Sequence, residues 1–212
     1  MTERVTIAVG WVEQLYCKNP SYSSDTDIGV GLPQGGTLIE KKLEVLNENA
    51  RIWTVPTPQW PPNLNVEEME YPAGEDRQFK GWRIRNRDEN LPCWLKGTFR
   101  WNGEGPDVIQ SFVGSIHACT DRPPSRDPHA VDLVKIGFFI ALPNAARVLD
   151  YHCHTRDGQG PWTGALVDHL SWFWTTEGGA CPEVPGYNAW GVSVTNTDQA
   201  RARGIRIKLQ RA

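Results

Sequence analysis

His152, Cys153 and His154 form the densest group of potential ligands in the chain. On an extended strand, residues two apart share a face. The two imidazoles therefore line up with Asp150, while Leu149, Tyr151 and Cys153 point the other way. Two histidines on one strand supply half of a zinc, iron or copper site, with a third ligand drawn from a neighbouring strand. His117, in Ser115-Ile-His-Ala-Cys119, and His169 are the available third ligands. Asp150 or Asp157 can complete a carboxylate–histidine pair. A divalent transition metal held this way, with one position open, supports hydrolytic or oxygenase-type chemistry. Against this, alternation turns both histidines to the solvent side of a half-buried strand, and HxH alone is a weak signal. A mixed site of Cys119, Cys153 and His117 lacks structural-zinc spacing.

The aromatic signal is stronger. The chain holds ten tryptophans, each a bulky core residue and also a flat stacking surface. Trp172 and Trp174 lie two apart, on one face of a strand that begins at His169. Trp162 sits in Gly160-Pro-Trp-Thr-Gly164, and Trp60 in Pro58-Gln-Trp-Pro-Pro62, where backbone constraints hold the indoles on loops. Tyr187, Asn188 and Trp190 end another loop. Aromatic platforms beside amides and carboxylates suit sugars. The ring stacks on a C–H face while the polar groups bind hydroxyls. Burial statistics favour Trp172 and Trp174 as core residues, which makes Trp60 and Trp162 the better platforms.

Other chemistries find less support. GxSxG, HExxH and GxxxxGK[ST] are all missing from the sequence. Gly29-Val30-Gly31 begins like a dinucleotide loop, but it follows Ser-Asp-Thr-Asp, and position 34 is Gln. Asp25 and Asp27 make a DxD that can bind Ca²⁺, although such pairs more often form Asx turns. Glu67, Glu68 and Glu70 read as a solvated charge run. Arg83, Arg85 and Arg87 beside Trp82, or the terminal Arg201 to Arg211 group, resemble the basic-aromatic sheets that bind single strands. A net charge of −3, from 22 basic and 25 acidic residues, argues against nucleic acid as a partner.

These residues need strands to position them. Val131 to Leu142 is the longest apolar run. A Pro143-Asn144 turn follows, then Arg147 to Thr155 alternates polar and apolar residues, so the spine reads as two consecutive strands. Further strands are expected at Arg4–Val12, Ala50–Val55, Gln78–Arg87, Cys93–Trp101, Asp107–Ala118, His169–Trp174, Trp190–Thr195 and Gly204–Leu209. Thr37 to Leu46 fits a strand or a helix. Leu15 to Gly36, Asp121 to Pro128, Asp157 to Gly164 and Gly178 to Gly186 read as loops. Prolines make residues 56–72 an irregular excursion.

The 212 residues suffice for one large β domain without disulfide staples. Five cysteines without a CxxC pair fit free thiols. No apolar run reaches the ~18 residues of a membrane span, and no basic start leads into a long apolar stretch. The expected location is cytoplasmic, or exported without a visible signal peptide.

The expected fold is all-β, an antiparallel sandwich with a jelly-roll-like form or a barrel as the alternative. It has about ten strands and little helix, in one domain over 1–212. The expected function is a non-enzymatic, lectin-like binding protein that recognises carbohydrate or a glycoconjugate without a cofactor. A toxin or defence protein is one form this could take. The alternatives are a cupin-like metal-dependent enzyme using His152 and His154, and an assembly protein that forms homo-oligomers.

Overall fold

The computed structural model describes residues 3–12, 26–47, 51–56, 59–72, 78–86, 93–116, 134–157, 160–164, 168, 170–196 and 203–212. Among these there are thirteen strands and no helix. In chain order they are β1 (Glu3–Val12), β2 (Thr26–Gly31), β3 (Thr37–Asn47), β4 (Ile52–Thr54), β5 (Leu64–Pro72), β6 (Gln78–Asn86) and β7 (Cys93–Asn102). There follow β8 (Asp107–Ile116), β9 (Val134–Pro143), β10 (Val148–Asp157), β11 (Leu170–Ala180), β12 (Tyr187–Asn196) and β13 (Arg203–Arg211).

Two antiparallel sheets pack face to face. One has seven strands in the order β11-β12-β9-β1-β7-β3-β4, and the other has six in the order β10-β13-β8-β2-β6-β5. Among the described residues each sheet keeps two unpaired edges, so the barrel is not closed. The spine strands β9 and β10 are consecutive in sequence but lie in different sheets. β9 is interior, between β12 and β1, whereas β10 is an edge strand paired only with β13.

Alternation accounts for the inner faces. Ile205, Ile207 and Leu209 of β13 are fully buried, as are Leu95, Phe99 and Trp101 of β7. Two apolar clusters fill the space between the sheets. One gathers Ile140, Leu142, Trp190, Val192, Ile205 and Ile207. The other gathers Ile28, Val30, Trp82, Ile84, Phe99 and Trp101. A third cluster lies on the outer face of the seven-stranded sheet, where Val9, Trp94, Ala141 and Ala189 alternate with the inward residues and Cys181 and Val184 join them from the turn after β11.

Four expectations are corrected. The count is thirteen strands rather than about ten, because β2 and β5 fall where loops were expected and Thr37–Asn47 is a strand. β2 hides among glycines that serve packing. A Cβ on Gly29 would sit 2.3 Å from the Phe79 ring, so Phe79 lies across that strand. Asp27 is therefore no loop ligand. It is fully buried, and Arg83 grips it with two bonds of 3.0 and 3.1 Å. In the 56–72 stretch the prolines cluster before Leu64, and Leu64–Pro72 forms an edge strand whose acidic residues discourage further pairing. Finally, β11 runs on to Ala180, past the glycines at 178 and 179.

A buried polar network crosses between the sheets. The Trp101 indole donates to the Thr6 hydroxyl at 3.0 Å, and that hydroxyl donates to Asp107. Arg211 donates to Asp107 at 3.1 and 3.0 Å and to Thr6 at 2.8 Å. Asp107 is 0% exposed, and this double grip compensates a carboxylate that would otherwise be costly to desolvate.

Candidate functional site: an aromatic edge between the sheets

β10 and β11 are edge strands of opposite sheets, and their inner faces meet at one open side of the sandwich. In β11 the alternation Trp172, Phe173, Trp174 turns both indoles inward, against the inner cluster, and leaves Phe173 56% exposed. Trp172 and Trp174 meet edge to face at 5.7 Å. Both remain half-buried, and among the described residues no further strand closes this side.

A bulge then redirects the strand. Trp174 pairs with Val192 and Glu177 with Trp190, so three steps on β11 match two on β12. The extra residue brings Glu177 onto the same inner face as Trp174. Opposite it, Tyr151 of β10 donates its hydroxyl to the Glu177 carboxylate. That bond, followed by desolvation, pushes the Tyr151 phenol above its ordinary range. The Tyr151 ring meets Trp174 at 5.5 Å with planes 84° apart, and Trp190 at 6.5 Å. The result is a half-open group of aromatic rings with a carboxylate and a phenol at its rim.

The remaining expected site residues fall elsewhere. Trp190 is buried, 7% exposed, and forms the floor under this edge. Asn188 is half-buried on β12, and Tyr187 packs against the outer cluster of the seven-stranded sheet. Burial, and then the nearby Glu44 charge, raise the Tyr187 phenol. Trp60 packs against the far core cluster, beside the β4 and β5 edges. Trp162 is held by a bridge between Thr155 and Thr163, with backbone bonds of 2.8 Å each way. The guanidinium groups of Arg156 and Arg206 lie over its ring at 4.5 and 4.8 Å, so its stacking surface is already in use. The aromatics thus occupy four separate places, and the structure brings together Trp172, Trp174 and Trp190.

The histidines take the outward face of β10. His152 is exposed and His154 half-buried, on either side of the buried Cys153. Their rings are 5.7 Å apart, and His152 Nε2 lies 2.7 Å from Asp150 Oδ2. Among the described residues no group of three or more His, Cys, Asp or Glu could hold a metal ion. His117, Cys119 and His169 lie outside the described residues, as do Asp25, Arg87 and Arg201. Burial pushes the Cys153 thiol up to about 12, which favours its protonated form.

Sequence reasoning missed Tyr151 and Glu177 as site residues. The parity of Tyr151 with Cys153 was available as a signal. Nothing in a period of two announces the bulge that turns Glu177 inward. Searches of protein-family models, curated proteins and solved structures find no match to this chain.

Proposed function

We propose that this protein is a non-enzymatic binding module that takes carbohydrate, or the glycan of a glycoconjugate, at the β10–β11 edge. One observation carries the reading. Trp172, Trp174 and Tyr151 form an aromatic group left half-open between two sheet edges, with Glu177 at its rim. Aromatic faces pack against the apolar C–H face of a pyranose, and a carboxylate and a phenol accept and donate to its hydroxyls. The half-burial of the indoles means that little further ordering is required on binding, which favours a preorganised site. The reading departs from the sequence in one respect: it relies on edge aromatics rather than on Trp60 and Trp162, whose rings are engaged by the protein itself.

The test is a glycan array followed by calorimetric titration of the best hit. The expected outcome is saturable binding that falls at least about tenfold in Trp174→Ala, the loss of one aromatic anchor, and is unchanged in Trp60→Ala. The absence of any glycan hit, or a hit indifferent to Trp174→Ala and Trp172→Ala, overturns the proposal.

A further inference from the structure

The outer face of the seven-stranded sheet carries a cavity separate from the aromatic edge. Val9, Ala141 and Ala189 stand side by side on β1, β9 and β12 and make a low floor. Phe139 leans over Gly191, where a Cβ would come within 2.1 Å of the ring. The turn after β11 folds back above this floor. The Cys181 N–H donates to the Tyr187 carbonyl at 2.9 Å, and the Val184 N–H donates to the Cys181 carbonyl at 3.2 Å. Cys181 and Val184 are buried by this return, 5% and 3% exposed. Because the floor is built of alanines, the turn does not fill the space beneath it. A cavity of about 320 Å³ remains, walled by Trp94, Phe139, Pro182 and Ala189. That lies at the small end of the ~300–1,000 Å³ typical of ligand pockets.

The polar complement of the cavity is sparse and of one sign. The Thr176 hydroxyl is engaged with the Ala189 carbonyl at 3.4 Å. The Cys181 thiol donates to Glu183 Oε2 at 3.5 Å, and burial keeps it protonated. Among the described residues no lysine, arginine or histidine lines the space. Glu183 has no cationic partner among the described residues. The neighbouring Lys96 is already engaged, bonded to Glu44 at 2.9 Å with its ammonium 4.9 Å from the Trp53 ring.

Two aromatic walls and one carboxylate that lacks a counter-ion define a ligand chemistry. The geometry points to a binding site for a small organic ammonium with an apolar body, its ring between Trp94 and Phe139 and its charge beside Glu183. An ammonium gains from the carboxylate and from the negative faces of the rings. A carboxylate-bearing molecule of the same shape meets repulsion. The site does not depend on the aromatic edge, which lies between the sheets.

The test titrates the full-length protein at neutral pH with 2-phenylethylammonium, 2-phenylethanol and 3-phenylpropionate, by calorimetry and by tryptophan fluorescence. The ammonium is expected to bind saturably at one site, the alcohol at least about tenfold more weakly, and the carboxylate not at all. Glu183→Gln should lower the affinity for the ammonium to that of the alcohol and leave the alcohol unaffected. Ala189→Leu, which fills the cavity, should abolish both; its unfolding midpoint establishes that the variant is folded. The proposal is overturned if the ammonium shows no saturable binding, if Glu183→Gln binds it as well as the parent protein does, or if the carboxylate binds equally well.

Discussion

At the β4 and β5 side of the sandwich, Lys41 reaches across from β3 to Glu68 at 3.1 Å and to the Gly81 carbonyl at 3.3 Å. Its ammonium lies 5.2 Å from the centre of the Trp82 ring, and Trp82 is only 5% exposed. At the β10 and β11 side, the link between the sheets is the Tyr151–Glu177 bond, and the phenol meets Trp174 edge-on. Both sides join the sheets through a carboxylate, and both set a tryptophan beneath the link. They differ in what happens to the indole face. A lysine stem lies along apolar surface and covers it, whereas Trp174 beside the phenol stays half-buried. Under the proposed function, stacking on a ligand would depend on which side chain bridges each edge, and much less on the number of tryptophans.

The largest test of that contrast is stability. Trp82→Ala empties a filled site and is expected to cost about 3–5 kcal/mol in urea denaturation. Trp174→Ala, half-buried to begin with, is expected to cost clearly less while weakening the proposed glycan binding at least about tenfold. Equal costs would erase the distinction between the two sides.

A middle-sized effect comes from Cys153, on the inner face of β10 below the open side. Its folded-state value is raised from 9.0 to about 12 by burial. The protonated thiol is thus the form the fold favours. Its contribution is whole below pH 9 and is lost as the pH rises towards 12, by about 2–3 kcal/mol at pH 11. Alkaline denaturation of Cys153→Ala should lack this slope; parallel curves for the two proteins would remove the assignment.

The smallest effect is the most local. Tyr151→Phe deletes the bond to Glu177 and is expected to leave the unfolding midpoint nearly unchanged while increasing acrylamide quenching of tryptophan. Lys41→Ala should also increase quenching, by uncovering Trp82. A change in the second variant alone would place the gate at the wrong edge.

Much of the fold was readable because alternation with a period of two is a direct imprint of a two-faced sheet. Arg4–Val12, Cys93–Trp101 and Gly204–Leu209 were found on that basis. β2 escaped because Gly29 and Gly31 look like loop residues, yet Gly29 is small so that Phe79 can cross it. β5 escaped because its acidic residues and flanking prolines mark an edge, where strand propensity is least expressed. The candidate site was half legible. The shared face of Trp172 and Trp174 followed from their spacing. The proximity of Tyr151 did not, because adjacency across two sheets is a property of tertiary packing. Glu177 was hidden by a bulge that inverts the expected parity.

The network of Thr6, Trp101, Asp107 and Arg211 has a consequence for how the protein is made. Arg211 lies 205 residues after Thr6 in the chain, and β1 pairs along its whole length with β7 rather than with a sequence neighbour. During synthesis the first strand must wait for partners that the ribosome has yet to deliver, and Asp107 waits longer still for its guanidinium. Structures dominated by such distant pairings form slowly, and their unpaired strands are exposed to aggregation meanwhile. The nascent chain is therefore expected to stay protease-sensitive until β13 emerges, and to acquire resistance in one late step.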